Sequence, residues 1–351
     1  MSALSILLWP FSFLYRMVLE TRHLAFNRGW LSSKKAPIPT IVIGNLSLGG
    51  TGKTPVAAMI LDYLSRKYRV ALLSRGYGRT SKGVRWVEME DDADASGDEP
   101  LLIKNRFPSI PVVVAEDRLK GAQELMSSQT EWLVLDDAFQ HRKLIPDISI
   151  LLVDYNKPFF QDHVLPAGTL RDTPNRWKTA DMVFITKVPE GVDETQLRHW
   201  LSKFPDLASK PVFFFGLQYA HPVGVFTGNA LNFNPDSVMA VCGIAKPDYF
   251  FRYLKTKYSL KKTKTYPDHH RFRPEDMSFL QKEFSTFGEG ENAIFTTEKD
   301  AMRWRNWKAW KELPVFYIPI RFVAIGEKGK SWQETLDGLM KKHKSSERKS
   351  K

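Results

Sequence analysis

The stretch IPTIVIGNLSLGGTGKTPV, residues 38 to 56, ends in Gly52-Lys53-Thr54 behind a run of glycines. A loop that cradles phosphate needs backbone N–H groups turned inward at a helix N-terminus, a lysine for the β- and γ-phosphates, and a hydroxyl for Mg²⁺. Ser47, Leu48, Gly49, Gly50, Thr51, Gly52, Lys53 and Thr54 fill the G-x-x-x-x-G-K-[ST] spacing, with Ser47 where glycine usually leads. Serine is small and tolerates turn geometry, so the loop is expected to close. Pro55 is permitted in the first helical turn, where its missing N–H would be unbonded anyway.

About eighty residues further on, WLVLDDAFQHR carries an apolar strand into Asp136-Asp137. Carboxylates at such a strand end hold Mg²⁺ directly or through water. Loop and carboxylates together imply a magnesium nucleoside triphosphate. Guanine recognition would need [NT]-K-x-D, but Asn156-Lys157 is followed by Phe159 and Thr186-Lys187 by Pro189 where Asp is required. ATP is therefore the expected nucleotide. An acceptor site should add a base and cations. Asp98 in ASGDEPLL reads either as such a group or as the cap of the helix that follows. Arg75 and Arg79 in SRGYGR suit an anion or a solvated turn, and Arg118 in AEDRLKGA suits an anion or an ordinary helix face. Asp268, His269 and His270 in YPDHHRF invite a metal reading, but adjacent histidines in extended chain point opposite ways.

These residues need a scaffold that brings strand ends together. From residue 38, short β-branched runs alternate with helical patterns: TIVIGN, VALLS, PVVVA, WLVLDD, ISILLVD and MVFITK are continuous apolar runs rather than alternating ones. Such runs mark parallel strands buried on both faces. The expected fold is α/β: a P-loop NTPase-like, doubly wound, mostly parallel sheet with a second, smaller α/β domain, and ligands at the carboxyl ends of strands. The Gly/Pro/Asn-rich stretch after PVFFFGLQY separates a first domain at 31–220 from a smaller one at 221–325, which begins at VMAVCGIA and continues through VFYIPIRF.

The chain has 351 residues, 43% hydrophobic and 26% charged, enough to bury sizeable cores. Its single cysteine, Cys242, excludes an internal disulfide and a thiolate metal cluster. A net charge of +12 calls for an acidic partner. No zinc finger, RNP signature or repeat points to nucleic acid. Residues 1–30 read instead as an amphipathic membrane-associating helix. The run from Ala3 to Tyr15 is apolar or hydroxylic but shorter than the roughly 20 residues of a full crossing, and Arg16, Arg22 and Arg28 follow. Residues 326–351 read as a short helix, Ser331 to His343, and a disordered basic tail.

In this order the motifs NLSLGGTGKTP, SRGYGR, GDEPLL, AEDR, LDDAFQHR, LPAGTLR, GIAKP, PDHH and TEKDAMR resemble the tetraacyldisaccharide 4′-kinases of lipid A biosynthesis. Thr169, where that family more often has proline, and the basic tail are departures outside the chemistry. The resemblance implies phosphorylation of the 4′-hydroxyl of a lipid A disaccharide 1-phosphate. It implies ATP and Mg²⁺ as cofactors and a peripheral or monotopic position on the cytoplasmic face of the bacterial inner membrane. Carried onto this chain, it implies that Lys53 and the loop hold the phosphates while Thr54 with Asp136 or Asp137 positions Mg²⁺. It further implies that Asp98 is the base with His269 as its partner, and that Arg75, Arg79, Arg118 and Gln140 contact phosphate or substrate. It leaves the oligomeric state open.

Overall fold

The structure is a computed structural model describing residues 7–307, 310–326 and 331–350, with side chains to residue 345. Apart from a two-stranded pairing of Lys34–Lys35 with Leu144–Ile145, the strands begin with β1 (Thr40–Asn45), β2 (Val70–Ser74), β3 (Arg85–Trp86), β4 (Val112–Val114), β5 (Trp132–Leu135), β6 (Ile148–Asp154), β7 (Met182–Val188) and β8 (Val212–Tyr219). Then come β9 (Val223–Gly224), β10 (Ser237–Cys242), β11 (Leu260–Thr265), β12 (Asn292–Thr297), β13 (Val315–Ile318) and β14 (Ile320–Ile325). Among the described residues the large sheet has nine strands in the order β14-β8-β7-β6-β1-β5-β2-β4-β3, and a smaller sheet has five in the order β9-β13-β12-β10-β11. Only the edge pairs of the large sheet, β14 with β8 and β3 with β4, are antiparallel. The expected doubly wound, mostly parallel sheet and its smaller α/β companion are both present.

The continuous apolar runs follow from burial on both faces. Along β1, Ile41 and Ile43 enter one core while Val42 enters the other, and Leu72 and Leu73 of β2 divide the same way. Helix α2 (Lys53–Ser65) covers the first face with Val56, Ile60, Leu61 and Leu64. On the second face lie Leu19 of α1 (Trp9–Asn27) and Leu197 and Trp200 of the helix Glu194–Ser202.

Two expectations change. VFYIPIRF is not one strand of the smaller unit. Pro319 separates β13, which stays in the small sheet, from β14, which pairs with β8 at the edge of the large one. Proline lacks the N–H that a continuous ladder would need, and the chain changes sheets there. Residues 320–325, assigned to the second domain, thus complete the first. The tail from Lys341 is not irregular either, because the last helix runs Trp332–Ser350. Its Trp332, Leu336 and Met340 enter the first core of the large sheet. Residues 3 to 6 of the N-terminal apolar run lie outside the described residues.

Trp332 packs edge-on against Tyr63 and Phe184, with ring centroids 5.2 and 6.0 Å away. Trp332→Ala should lower the unfolding free energy by about 3–5 kcal/mol, read as a reduced urea midpoint at unchanged m-value. A midpoint equal to that of wild type would mean the final helix adds nothing to the core.

Candidate active site

The phosphate loop leaves the carboxyl end of β1 at the middle of the sheet. Gly49 and Gly52 have φ of 99° and 88°, conformations that glycine adopts at little cost. A β-carbon on Gly52 would also meet the Phe322 ring at 2.5 Å. Ser47 forms a bridge with Leu170, and the Leu48 N–H donates to the Thr169 carbonyl at 2.7 Å, so the LPAGTLR segment flanks the loop. Lys53 Nζ lies 3.3 Å from Asn45 Oδ1 and 3.7 Å from Asp137 Oδ2.

The two carboxylates after β5 have different surroundings. Asp137 adopts φ 50° and faces Arg171, which donates to both its oxygens, one at 3.0 Å. Burial pushes its carboxyl up, but the Arg171 hydrogen bonds and the Lys53 charge outweigh this and hold it below the usual range. Asp136 is 2% exposed. Burial first, then the charges of Glu99 and Asp137, push it up to about 7. Its Oδ2 lies 3.5 Å from Thr54 Oγ1, while its Oδ1 is buried with no hydrogen-bond partner. An orphaned buried carboxylate oxygen beside a hydroxyl at a phosphate loop suits a hard cation taking few protein ligands and several phosphate oxygens. Among the described residues no group of three or more His, Cys, Asp or Glu could hold a metal by itself.

Asp98 starts helix α3 (Asp98–Arg106) and accepts from the Glu99 N–H at 2.9 Å. It is 4% exposed, and every charged partner it has comes from the chain after residue 260. His269 Nδ1 lies 3.1 Å from Asp98 Oδ2 and Lys299 Nζ 4.0 Å from it, and Arg303 donates to the same oxygen. Burial alone would raise this carboxyl, but Lys299, His269 and Arg303 together hold it well below the ordinary aspartate range. His269 Nδ1 also lies 3.4 Å from Arg303. Protonated, that nitrogen can donate to Asp98; deprotonated, it can accept from Arg303. His269 adopts φ 58°, and its ring lies 5.0 Å from that of Tyr77. His270 turns the other way to Asp276, at 2.9 Å.

The remaining candidates divide. Arg75 is exposed and, among the described residues, makes no side-chain hydrogen bond or ion pair. Arg79 is spent within its own loop region, on Glu116 at 2.5 Å and the Gly83 carbonyl at 2.7 Å. Arg118 is buried, donating to the Ala115 and Glu116 carbonyls. Gln140 donates to the Asn45 carbonyl under the loop. Of these three, Arg118 is buried with backbone carbonyls receiving donors from its guanidinium, and Arg79 and Gln140 are half-buried. Sequence reasoning passed over Asn45, Arg171, Lys299 and Arg303. Lys299 and Arg303 stand four apart on one helix, Glu298–Trp304, the spacing that puts two side chains on one face.

A family model described as tetraacyldisaccharide-1-P 4′-kinase matches residues 4–341. The tetraacyldisaccharide 4′-kinase of Flavobacterium johnsoniae is 35% identical over 93% of this chain and 94% of its own. That of Phocaeicola vulgatus is 33% identical over 96% and 95%. A crystal structure of an "apo" form LpxK from Aquifex aeolicus in complex with ATP superposes with a TM-score of 0.73 at 28% identity, covering 96% of this chain and 99% of that one.

His141, in the turn after the Asp136-Asp137 pair, has a buried Nε2 without a hydrogen-bond partner. Burial first, then the Arg118 charge, pushes its pKa down to about 4. The unfolded chain, with a histidine pKa of about 6.5, therefore binds the proton more tightly. Stability is full above about pH 6.5 and falls as the pH drops towards 4. His141→Gln should lose less melting temperature between pH 7 and pH 5 than wild type. An equal loss would show that this imidazole does not carry the acid sensitivity.

Proposed function

The chain belongs to the tetraacyldisaccharide-1-P 4′-kinase family, and from that premise we propose how its own residues carry the reaction. The enzyme transfers the γ-phosphoryl group of ATP to the 4′-hydroxyl of the lipid A disaccharide precursor. Loop amides at the start of α2 take the triphosphate, and Lys53 exchanges Asn45 and Asp137 for phosphate oxygens. Thr54 and Asp136 are the residues that would hold Mg²⁺, which when bound neutralises charge on the β- and γ-oxygens. Asp137, already committed to Arg171 through both its oxygens, positions that cation instead. The 4′-oxygen bonds to the γ-phosphorus, the bond to the β–γ bridging oxygen breaks with its electron pair leaving on ADP, and the hydroxyl proton passes to the Asp98–His269 pair.

The observation that carries this reading is the Asp98–His269 contact, made between the two sheets. A carboxylate held this low is a weak base by itself. His269, whose Nδ1 has a partner whether protonated (Asp98) or deprotonated (Arg303), shares the work. Arg75, exposed and unpaired, is assigned to an anionic group of the substrate. Arg79, Arg118 and Gln140 are assigned to bracing.

The acceptor is a lipid, and α1 supplies a surface for it. Ser12, Leu19, His23 and Phe26 are buried against the body of the protein. Phe11, Phe13 and Leu14, about 60% exposed, share the outer side with Trp9, Met17 and Val18. No helix among the described residues is long and apolar enough to cross a membrane. We place the enzyme on the cytoplasmic face of the bacterial inner membrane, lying on the leaflet, with Arg22, Arg28 and the net charge of +12 meeting anionic headgroups.

With labelled ATP, Mg²⁺ and the lipid disaccharide 1-phosphate in detergent, Asp98→Asn should lower kcat by about 10²–10⁴-fold while the variant still binds ATP. Near-wild-type turnover would remove Asp98 from the chemistry. Phe11→Glu combined with Leu14→Glu should shift the full-length protein from sedimented anionic vesicles to the supernatant without changing turnover on a detergent-dispersed substrate. Undiminished vesicle binding would overturn the membrane assignment of α1.

A further inference from the structure

An amide plane that turns its N–H toward a bound phosphate turns its carbonyl the other way, and that carbonyl needs a partner of its own. Here the partners of two successive loop carbonyls are two successive side chains. Thr186 Oγ1 donates to the Thr51 carbonyl at 2.8 Å, and Lys187 Nζ donates to the Gly50 carbonyl. Both come from the carboxyl end of β7, which is separated from β1 by β6 alone. Thr186 is fully buried. Lys187 adopts φ 59°, a conformation that costs a non-glycine residue about 1–2 kcal/mol. The Lys187 ammonium is balanced by Asp154 Oδ2 at 3.0 Å, the last residue of β6, and that carboxylate also meets Lys246 at 3.4 Å. The Thr186-Lys187 pair lacks the aspartate that guanine recognition requires, so base reading does not account for it.

We infer that Thr186 and Lys187 are positioning residues for the triphosphate: Thr186 holds the outward carbonyl of Thr51 so that the Gly52 amide stays turned toward the phosphates, and Lys187 fixes the Gly50–Thr51 peptide that precedes it. The inference rests on the kinase reading above. In this structure the Thr51 N–H closes a tight turn onto the Gly49 carbonyl at 3.1 Å. The Gly52 N–H, in the plane fixed through Thr186, is free of such a bond among the described residues. A side chain acting only on the loop's peptide planes should affect nucleotide binding and leave the lipid acceptor alone. Thr186→Val keeps the shape and removes the donor; Thr186→Ser restores it.

The test is steady-state kinetics on the full-length protein, varying ATP and lipid acceptor separately, with melting temperature as a check on folding. Thr186→Val and Lys187→Met should each raise KM for ATP about tenfold, the change expected when one hydrogen bond worth about 1.4 kcal/mol is lost. KM for the lipid should stay within about twofold, and Thr186→Ser should return KM for ATP to the wild-type range. Should Thr186→Val fail to fold, Lys187→Met and direct ATP binding to Thr186→Ser carry the test. Folded variants with unchanged KM for ATP, or with both KM values raised equally, would overturn the inference. A Lys53→Ala control binding ATP as wild type would overturn the loop assignment itself, and this inference with it.

Discussion

The arrangement turns on one buried carboxylate. Asp98 belongs to the large-sheet unit, and the cations that neutralise it, His269, Lys299 and Arg303, all follow the small-sheet strands. A carboxylate taken out of water costs several kcal/mol unless charges of opposite sign and good hydrogen bonds replace the lost hydration. Separating the two units would strand Asp98 on one side and Lys299 and Arg303 on the other. Further pairs lie along the same contact. Lys299 meets Glu99 at 2.8 Å, Arg106 meets Glu298 at 3.4 Å, and Ala301 and Met302 enter the core beside Leu101 and Leu102. The proposed catalytic base is thus also a fastening between the two halves. Its depressed pKa has a chemical consequence as well. Negative charge brought in by a triphosphate opposes the field of those cations and pushes the carboxyl back up, so the group becomes a better base when nucleotide is present.

The two aspartates after β5 show how neighbours divide labour between identical side chains. Asp137 takes a left-handed backbone and satisfies Arg171 and Lys53. Asp136 is buried, and its side chain finds only the Thr54 hydroxyl at the limit of hydrogen-bond distance. A buried carboxylate with an orphaned oxygen is costly, and the structure offsets that cost partly by raising its pKa to about 7. A divalent cation removes the penalty altogether. Apart from any resemblance, that argument favours Asp136 over Asp137 as the Mg²⁺ ligand.

How much was legible in the sequence varies with the range of the interaction. The phosphate loop, the strand-end carboxylates and the parallel core are written in local patterns: glycines beside Gly52-Lys53-Thr54, an apolar strand before Asp136, unbroken β-branched runs. Of the groups around Asp98, His269 came from the family resemblance, but Lys299 and Arg303 were not legible, because about two hundred residues separate them from Asp98 and no periodicity connects them. For Arg79, Arg118 and Gln140, expected to contact phosphate or substrate, residue type alone cannot say whether a donor meets a ligand or a backbone carbonyl. Asn45 and Arg171 were passed over for the converse reason. Asn45 looks like an ordinary strand residue until Lys53 and Arg171 converge on its side-chain oxygen at 3.3 and 2.6 Å. The passage of the chain back to the large sheet after Pro319 left a visible mark, but a proline within an apolar run reads equally as an edge strand.

Arg171 and Asp172 are adjacent, and their side chains serve two different elements. Arg171 reaches Asp137 and Asn45 beside the phosphate loop. Asp172, 1% exposed, meets His23 of α1 at 2.6 Å, and Arg142 closes on the same imidazole at 3.2 Å. Two further bonds tie α1 to the same segment: Tyr15 donates to the Arg171 carbonyl at 3.2 Å, and the Ala167 N–H donates to Ser12 at 2.8 Å. All four contacts use the buried or half-buried side of the helix, which leaves Trp9, Phe11, Phe13, Leu14, Met17 and Val18 outward. A helix whose inner face were merely greasy could rotate or slide, whereas buried polar contacts satisfy their partners in one register only. On the proposed placement of α1 on a bilayer, the angle of its apolar face would also fix where the phosphate loop stands above the leaflet, and hence how far a lipid-borne hydroxyl must rise to reach the γ-phosphate.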